Sequence, residues 1–303
     1  MLPIWVDRGV GGVRTSERAR ASPDGRHRVG EPYHGGMAGA LDIQLAVDPR
    51  GVTPRAYTTA LSELTRSLEE LDRLSAPNPK DRVAWYVFDT RWADVGPRVR
   101  IRPDVTSGTR STDELMRPSR ALVSGVRQLR SSTEIPPDFT ESVVSRVVKV
   151  GALTKAHAGG LRGVDISVDA DSAPPTAIDA VVEENAERAI APKSFAYGSI
   201  AGRLDLISAR GRSTRIGLVP DWGSPITCVV TALDRDLYLR AFDRQVLVEG
   251  VVRRNGNGQV IRIDADSLTV LEPVKPATLA DLRGALQPTD QTIAEFIEEQ
   301  RGR

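Results

Sequence analysis

The chain has 303 residues, of which 40% are hydrophobic and 27% are charged, and its formal net charge is +1 at pH 7. This composition excludes a wholly disordered chain, a collagen-like repeat and a coiled-coil rod, and the length predicts about two domains. No apolar run has the length that a membrane span requires, and residues 1–6 lack the basic leader and cleavage site of a signal peptide. We therefore expect a cytoplasmic protein with no membrane contact.

Residue types that carry familiar catalysis are scarce in this chain. It has one cysteine and three histidines, which exclude an internal disulfide and leave little material for a metal cage. Cys228 shares a predicted strand face with Ile226 and Val230, so we expect a buried, unreactive thiol. No nucleophile has an identifiable base, and no glycine-rich phosphate loop is present. The sequence predicts a protein that is not an enzyme and has no metal or cofactor, with a metal-dependent hydrolase as an alternative.

Arginine supplies most of the positive charge, since only five of the 41 basic residues are lysine. This bias is typical of a GC-rich bacterial genome, so an arginine-rich segment alone does not indicate phosphate binding. Residues 1–36 are rich in Gly, Pro, Arg and Ser and show no helical or strand period, which predicts a disordered arm. The alternative is that translation starts at Met37.

Residues 37–191 show the patterns of a first domain. Apolar and polar residues alternate over residues 41–47, which predicts a strand, and a helix then begins at Pro54 with apolar residues at spacings of three and four. The β-branched and aromatic run at residues 83–88 predicts a strand that forms a hairpin with residues 99–101.

Further along the first domain, the pattern predicts two helices, a strand and a third helix at residues 113–129, 141–150, 164–168 and 176–189. The two adjacent prolines Pro136 and Pro137 separate the first two of these helices. This order predicts an α+β domain with a small, mostly antiparallel sheet that is covered by helices on one side.

The second domain is predicted over residues 196–272, where short strands follow one another closely. We expect strands and one short helix at residues 200–208, 215–219, 226–231, 234–242 (the helix), 245–254, 259–264 and 268–271. The Asn-Gly-Asn-Gly run at residues 255–258 is a strong hairpin signal. In this order of elements, with Gly202 and Gly250 at predicted bends, the segment resembles an OB-fold, which implies a five-stranded β-barrel. A small SH3-like barrel is the alternative.

Such barrels commonly bind nucleic acid, so we considered which residues of the second domain suit that role. Its ten arginines are nearly balanced by nine acidic residues, and its second and third predicted strands carry no aromatic residue. Nucleic-acid binding is therefore an alternative hypothesis, and it assigns the interface to Arg203, Arg215, Trp222, Arg253 and Arg254.

Residues 277–303 predict a helical tail. It contains the motifs Thr-Leu-Ala-Asp-Leu-Arg-Gly from Thr278 and Thr-Ile-Ala-Glu-Phe-Ile-Glu-Glu-Gln-Arg from Thr292. These motifs resemble the carboxy-terminal tails of type II antitoxins, which lay a short amphipathic helix on a toxin ribonuclease of the PIN-domain kind. The resemblance implies a non-catalytic regulatory or adaptor protein whose protein partner contacts Leu279, Leu282, Ile293, Phe296 and Ile297. This is the function that the sequence favours.

Overall fold

The structure is a computed structural model, and it describes residues 39–76, 78–104, 110–169, 172–209, 213–221, 223–230 and 235–272. These residues form a mixed α+β protein with two five-stranded sheets and five α-helices. The predicted α+β class is therefore confirmed. None of the described helices is long and apolar enough to cross a membrane.

The first sheet has the strand order β2-β3-β1-β4-β5, and every neighbouring pair is antiparallel. Its strands are β1 Leu41–Val47, β2 Trp85–Ala93, β3 Gly96–Pro103, β4 Leu161–Val168 and β5 Thr176–Ile178. The side chains of Leu41, Ile43 and Leu45 alternate with polar ones along the central strand β1 and are fully buried. One face of the sheet is consequently a core face.

Four helices contribute to the core on that face, namely α1 Pro54–Ser75, α2 Thr112–Ser131, α3 Glu141–Lys155 and α4 Ala180–Ile190. Side chains that include Leu64, Leu122, Val147 and Val182, one from each helix, join the strand residues in a single buried cluster. The hydroxyl of Thr53 accepts a hydrogen bond from the backbone N–H of Ala56 and caps α1. The amphipathic patterns thus place the helices against the sheet.

Several elements between residues 41 and 190 differ from their predicted limits, among them α3, which continues five residues past the predicted end at Val150, to Lys155. Residues 176–178 are strand β5, so the predicted helix begins later, at Ala180. The carboxylate of Asp179 accepts hydrogen bonds from the backbone N–H groups of Val181 and Val182, and this cap fixes the start of α4. Strand β2 extends five residues further than predicted, to Ala93.

The second sheet closes on itself in the order β6-β7-β8-β10-β9. Its strands are β6 Ser194–Ser208, β7 Thr214–Val219, β8 Ile226–Val230, β9 Gln245–Arg254 and β10 Val260–Val270. Strands β8 and β10 are parallel, and the other four neighbouring pairs are antiparallel. A short helix, α5 Arg235–Arg240, precedes β9. The interior holds a second buried apolar cluster, separate from the first.

Two strands of this sheet are longer than the sequence predicts. Strand β6 begins at Ser194 instead of Ile200, and its first half pairs with β9. The two strands predicted over residues 259–271 are one strand, β10, which shifts its register against β9 between Ala265 and Ser267. This irregularity interrupts the alternation of apolar residues, which explains why the pattern suggested two strands.

Buried and half-buried polar contacts tie the second sheet to helix α1 and to the segment between α2 and α3. The side chain of Gln259 accepts a hydrogen bond from the backbone N–H of Ile135 at 2.8 Å and donates one to its carbonyl at 3.1 Å. The guanidinium of Arg73 forms an ion pair with the buried carboxylate of Asp205 at 2.5 Å. Ile261 of β10 also belongs to the buried cluster between the first sheet and its helices. The two sheets therefore share a fixed junction.

Candidate functional site

Outward-facing side chains cross the second sheet in two parallel lines, which we call the outer rows. Row one pairs Phe195, Arg253, Arg262 and Thr227, on β6, β9, β10 and β8 in turn. Row two pairs Tyr197, Val251, Asp264, Val229 and Arg215, on β6, β9, β10, β8 and β7. Residues between them, such as Val252 and Ile263, are buried in the sheet interior, so strand alternation places the rows on the outside.

Two exposed aromatic side chains form one end of the outer rows. Phe195 is 57% exposed and Tyr197 is 68% exposed. The guanidinium carbon of Arg253 lies 5.3 Å from the centre of the Phe195 ring, within the range of a cation–π interaction. Arg253 also donates hydrogen bonds to the carboxylate of Asp264, which holds its planar head group in place. The result is a flat aromatic and cationic surface that is open to solvent.

The other end of the outer rows leads into a cleft of about 330 Å³ between helices α1 and α3 and strands β7, β8 and β10. We call it the cationic cleft because its lining includes two acidic residues, Glu63 and Glu141, and five basic ones, Arg66, Arg146, Lys149, Arg215 and Arg262. Ser142, Ser145 and Thr227 add hydroxyl groups to this lining. Positive charge therefore exceeds negative charge inside the cleft.

Glu63 lies buried at the α1 wall of the cleft and is surrounded by cations. Its carboxylate oxygens lie 3.7 Å from Arg66 Nη1, 3.9 Å from Arg146 Nε and 3.6 Å from Lys149 Nζ. At these distances the charges attract, but Glu63 Oε2 receives no hydrogen bond from the described residues. Arg146 instead directs its guanidinium to Glu70 at 2.6 Å.

Glu141 lies where α3 meets the second sheet. Burial raises the pKa of its carboxyl group above the ordinary value, and the nearby cations Arg262, Arg215 and Arg253 only partly oppose this effect. Its Oε1 atom lies 3.9 Å from Arg262 Nη1. Three arginines from three different strands thus gather around one partly desolvated carboxyl group.

The structure brings together two of the residues that the sequence assigned to nucleic-acid binding. Arg215 and Arg253 both belong to the outer rows. Arg254 follows Arg253 on β9, so it faces the other side of the strand, where it donates to the carbonyl of Gly258 at 3.1 Å. Arg203 lies at the far end of the β6–β9 pairing and forms an ion pair with Asp243 at 3.1 Å. Trp222 lies outside the described residues.

The predicted partner-binding residues Leu279, Leu282, Ile293, Phe296 and Ile297 also lie outside the described residues, as does the predicted arm of residues 1–36. The structure therefore describes neither terminal segment.

Sequence reasoning missed Phe195 and Tyr197, although they alternate with Ser194 and Ala196 as strand residues do. Arg262 and the helix residues of the cleft were missed as well, namely Glu63, Arg66, Glu141, Arg146 and Lys149. They have no common motif, because α1, α3 and β10 are far apart in the chain.

A second exposed aromatic surface lies on the edge strand β2 and includes Tyr86, Phe88 and Trp92. The guanidinium carbons of Arg100 and Arg102 each lie 4.9 Å from the centre of the Phe88 ring. Arg100 forms ion pairs with two carboxylates of the same sheet, those of Asp89 and Asp169. Arg253 and Arg262 of the outer rows likewise share the carboxylate of Asp264. The outer rows differ from the β2 surface because they continue into a cleft lined by cations, which no β2 residue lines.

Cys228 is fully buried in the interior of the second sheet, as predicted. Burial raises the pKa of its thiol to about 12, so the thiol stays protonated at neutral pH. Within the described ranges, no group of three or more His, Cys, Asp and Glu side chains is placed to hold a metal ion.

No protein-family model matches this chain, and no curated protein matches its sequence at a significant level.

Proposed function

We propose that this protein binds single-stranded nucleic acid on the outer rows of a second sheet that is an OB-fold barrel. The observation that supports this function is the juxtaposition of two solvent-exposed aromatic rings, Phe195 and Tyr197, with cationic side chains in the same cross-strand rows. Aromatic platforms beside a positively charged groove are what single-stranded nucleic acid requires of a protein.

Strand connectivity supports the OB-fold assignment. Five strands in the order β6-β7-β8-β10-β9, with a helix between the third and fourth, match the five-stranded Greek-key barrel of that family. Close backbone approaches occur at Gly202 and Gly250, where an added Cβ would lie 2.7 Å from the Val219 carbonyl oxygen and 2.1 Å from the Asp264 carbonyl oxygen. Glycine at these positions allows strands to coil closely enough for a small barrel.

In this proposal the bases and the phosphates of the strand contact different side chains of the outer rows. Bases stack on Phe195 and Tyr197, and each base–aromatic stack contributes about 1–3 kcal/mol. Phosphates lie along Arg253, Arg262 and Arg215, whose charges displace condensed counterions from the strand. Because five strands spaced about 4.8 Å apart give a path of about 19 Å, several nucleotides bind at once.

Recognition on this surface depends on the backbone and on stacking, and every base presents a π-face to an aromatic ring. The proposed interface therefore accepts many sequences. Duplex nucleic acid keeps its bases paired and stacked internally, so it gains nothing from Phe195 and Tyr197 and binds more weakly than a single strand.

A stacking test examines this proposal directly. Binding of 3′-fluorescein-labelled oligothymidine and oligouridine to the full chain is measured by fluorescence anisotropy at 50 mM salt. The double substitution Phe195→Ala and Tyr197→Ala is expected to weaken binding at least about tenfold, because it removes two stacking contacts.

Trp92→Ala supplies the matched control for that measurement. Trp92 is 68% exposed, as Tyr197 is, but it belongs to the first sheet, so its removal is expected to leave affinity within about twofold of the parent value. Equal losses from the two variants, or no binding of any oligonucleotide by the parent protein, would contradict the proposal.

The antitoxin-like adaptor role stays a prediction, since the residues that suggested it lie outside the described part of the chain. The proposed nucleic-acid surface on the second sheet uses none of residues 277–303. The two functions are therefore compatible.

A further inference from the structure

The cationic cleft holds positive charge that its own residues leave unsatisfied. Arg146 is engaged by Glu70 at 2.6 Å. The head groups of Arg66, Lys149 and Arg215 make no hydrogen bond to any described residue, and Lys149 approaches Glu63 only to 3.6 Å. These donors lie at the wall of a cleft of about 330 Å³, a volume at the lower end of the range for small-ligand sites. The cleft is therefore suited to a compact anion.

Two buried polar atoms of the cleft form no hydrogen bond with a described residue. One of them is a donor and the other is an acceptor. Arg262 Nε lies 3.3 Å from Asp264 Oδ1, in an ion pair without hydrogen-bond geometry, and Glu63 Oε2 accepts no hydrogen bond from a described residue. A buried polar atom without a hydrogen bond costs free energy, so a ligand that satisfies both atoms gains from each contact. That ligand must present acceptor oxygens to Arg262 and a hydrogen-bond donor to Glu63.

We propose that the cationic cleft binds a phosphate group in its protonated, monoanionic form. Its unprotonated oxygens accept hydrogen bonds from Arg262, Arg215 and Lys149, and its P–OH group donates to Glu63 Oε2. This site goes beyond the proposed nucleic-acid surface, because it needs neither stacking nor a nucleotide.

The carboxylate of Glu63 gives the site its selectivity. A phosphate monoester has a second pKa of about 6, so a large fraction carries a proton near that pH. Sulfate has the same tetrahedral shape and similar size but no proton under these conditions. Sulfate would bring an unprotonated oxygen against the carboxylate, and like charges repel. Phosphate is therefore preferred over sulfate.

Isothermal titration calorimetry of the full chain with inorganic phosphate and with sulfate, at pH 6 and constant ionic strength, tests the proposal. Phosphate is expected to bind at least about tenfold more tightly than sulfate. The substitution Glu63→Gln is expected to bring the two affinities within about threefold of each other, because an amide also donates to sulfate. A parent protein that binds both ions equally, or neither of them, would overturn the proposal.

Two lysines of helix α3 make a matched pair for the same measurement. Lys149 and Lys155 are similarly exposed, at 57% and 56% of the side chain, but Lys149 lines the cleft, whereas Lys155 forms an ion pair with Glu183 at 2.8 Å. Lys149→Ala is expected to weaken phosphate binding about tenfold, and Lys155→Ala to leave it unchanged. Equal effects of the two substitutions would show that phosphate responds only to overall charge, which would refute a site in the cleft.

Oligonucleotides with a terminal phosphate identify the source of the phosphate group. If strands with a 5′- or 3′-phosphate bind more tightly than strands with hydroxyl ends, the cleft receives the end of a nucleic acid. If all strands bind equally while the preference for phosphate over sulfate persists, the cleft receives a free phosphorylated compound. Because the calorimetric arms contain no nucleic acid, failure of the outer-row proposal and failure of this one remain distinguishable.

Discussion

Glu141 occupies the first turn of α3, where carboxylates ordinarily stabilise a helix, yet burial against the second sheet raises its pKa. A raised pKa means that the folded protein favours the protonated carboxyl group. The contribution of Glu141 to the free energy of unfolding is therefore largest below the unfolded pKa and is lost as the pH rises through the folded pKa. At neutral pH the charged carboxylate destabilises the fold.

The substitution Glu141→Gln is expected to raise the midpoint of thermal unfolding at pH 7, by about 1–3 °C, because it removes a partly desolvated charge. At pH 4 the parent carboxyl group is largely protonated, so the difference between the two proteins is expected to vanish. Differential scanning calorimetry at the two pH values measures both quantities.

Glu134→Gln is the control, since Glu134 is exposed and its substitution is expected to change the midpoint at neither pH. A midpoint that falls at pH 7 for Glu141→Gln would show instead that the charged carboxylate stabilises the junction through Arg262.

At the scale of elements, the closure of the second sheet depends on how closely β9 approaches β10. A Cβ atom at Gly250 would lie 2.1 Å from the carbonyl oxygen of Asp264 on the neighbouring strand, a distance that no real side chain tolerates. Backbone atoms cannot move aside without breaking the strand pairing. This glycine is therefore required for closure.

Gly250→Ala is expected to lower the free energy of unfolding by about 2–3 kcal/mol, because the new methyl group forces the two strands apart. Gly256→Ala, in the turn between the same strands, would place its Cβ 3.8 Å from the nearest atom, on Lys193, and is expected to change stability by less than about 1 kcal/mol. Urea denaturation followed by circular dichroism compares them. Similar effects of the two substitutions would show that the close approach at Gly250 does not control closure.

Local patterns predicted most elements of the fold, as α1 and the β9–β10 hairpin illustrate. The apolar residues of α1 and its cap at Thr53 lie within one continuous segment of the sequence, and the Asn-Gly-Asn-Gly turn specifies the hairpin. The limits of β5 and β10 were missed, because a three-residue strand and a register shift leave no clear period. Prediction fails where tertiary pairing decides the element.

The candidate site was less predictable than the fold, since strand pairing creates it. The sequence pointed to Arg203, Arg215, Arg253 and Arg254 alike. Only strand register and strand alternation decide that Arg215 and Arg253 lie in the outer rows and that Arg203 and Arg254 do not. The aromatic end of the rows had a local signal in the Phe-Ala-Tyr run of residues 195–197. The cleft had none, because Glu63, Glu141 and Arg262 meet only when the second sheet packs against α1 and α3.

In the whole molecule, the junction between the two sheets makes the two ends of the outer rows different. They begin at exposed rings on β6 and end in a cleft that helices α1 and α3 help to build. The contacts of Gln259 with Ile135 and of Arg73 with Asp205 hold the two halves in this relation. The second sheet without helices α1 and α3 would keep the aromatic surface and lose the cleft.

If the outer rows bind single-stranded nucleic acid by charge and stacking, the affinity must fall with salt in proportion to the phosphate contacts that the rows make. The slope of log affinity against log salt concentration is measured with oligothymidine for the parent protein, Arg253→Ala and Arg254→Ala. Arg253 lies in the rows and Arg254 faces the other side of β9. Arg253→Ala is expected to reduce the slope by about 0.7, the value for one phosphate contact on a single strand, and Arg254→Ala to leave it unchanged. Equal slopes for all three proteins, or a slope near zero for the parent, would contradict binding on the outer rows.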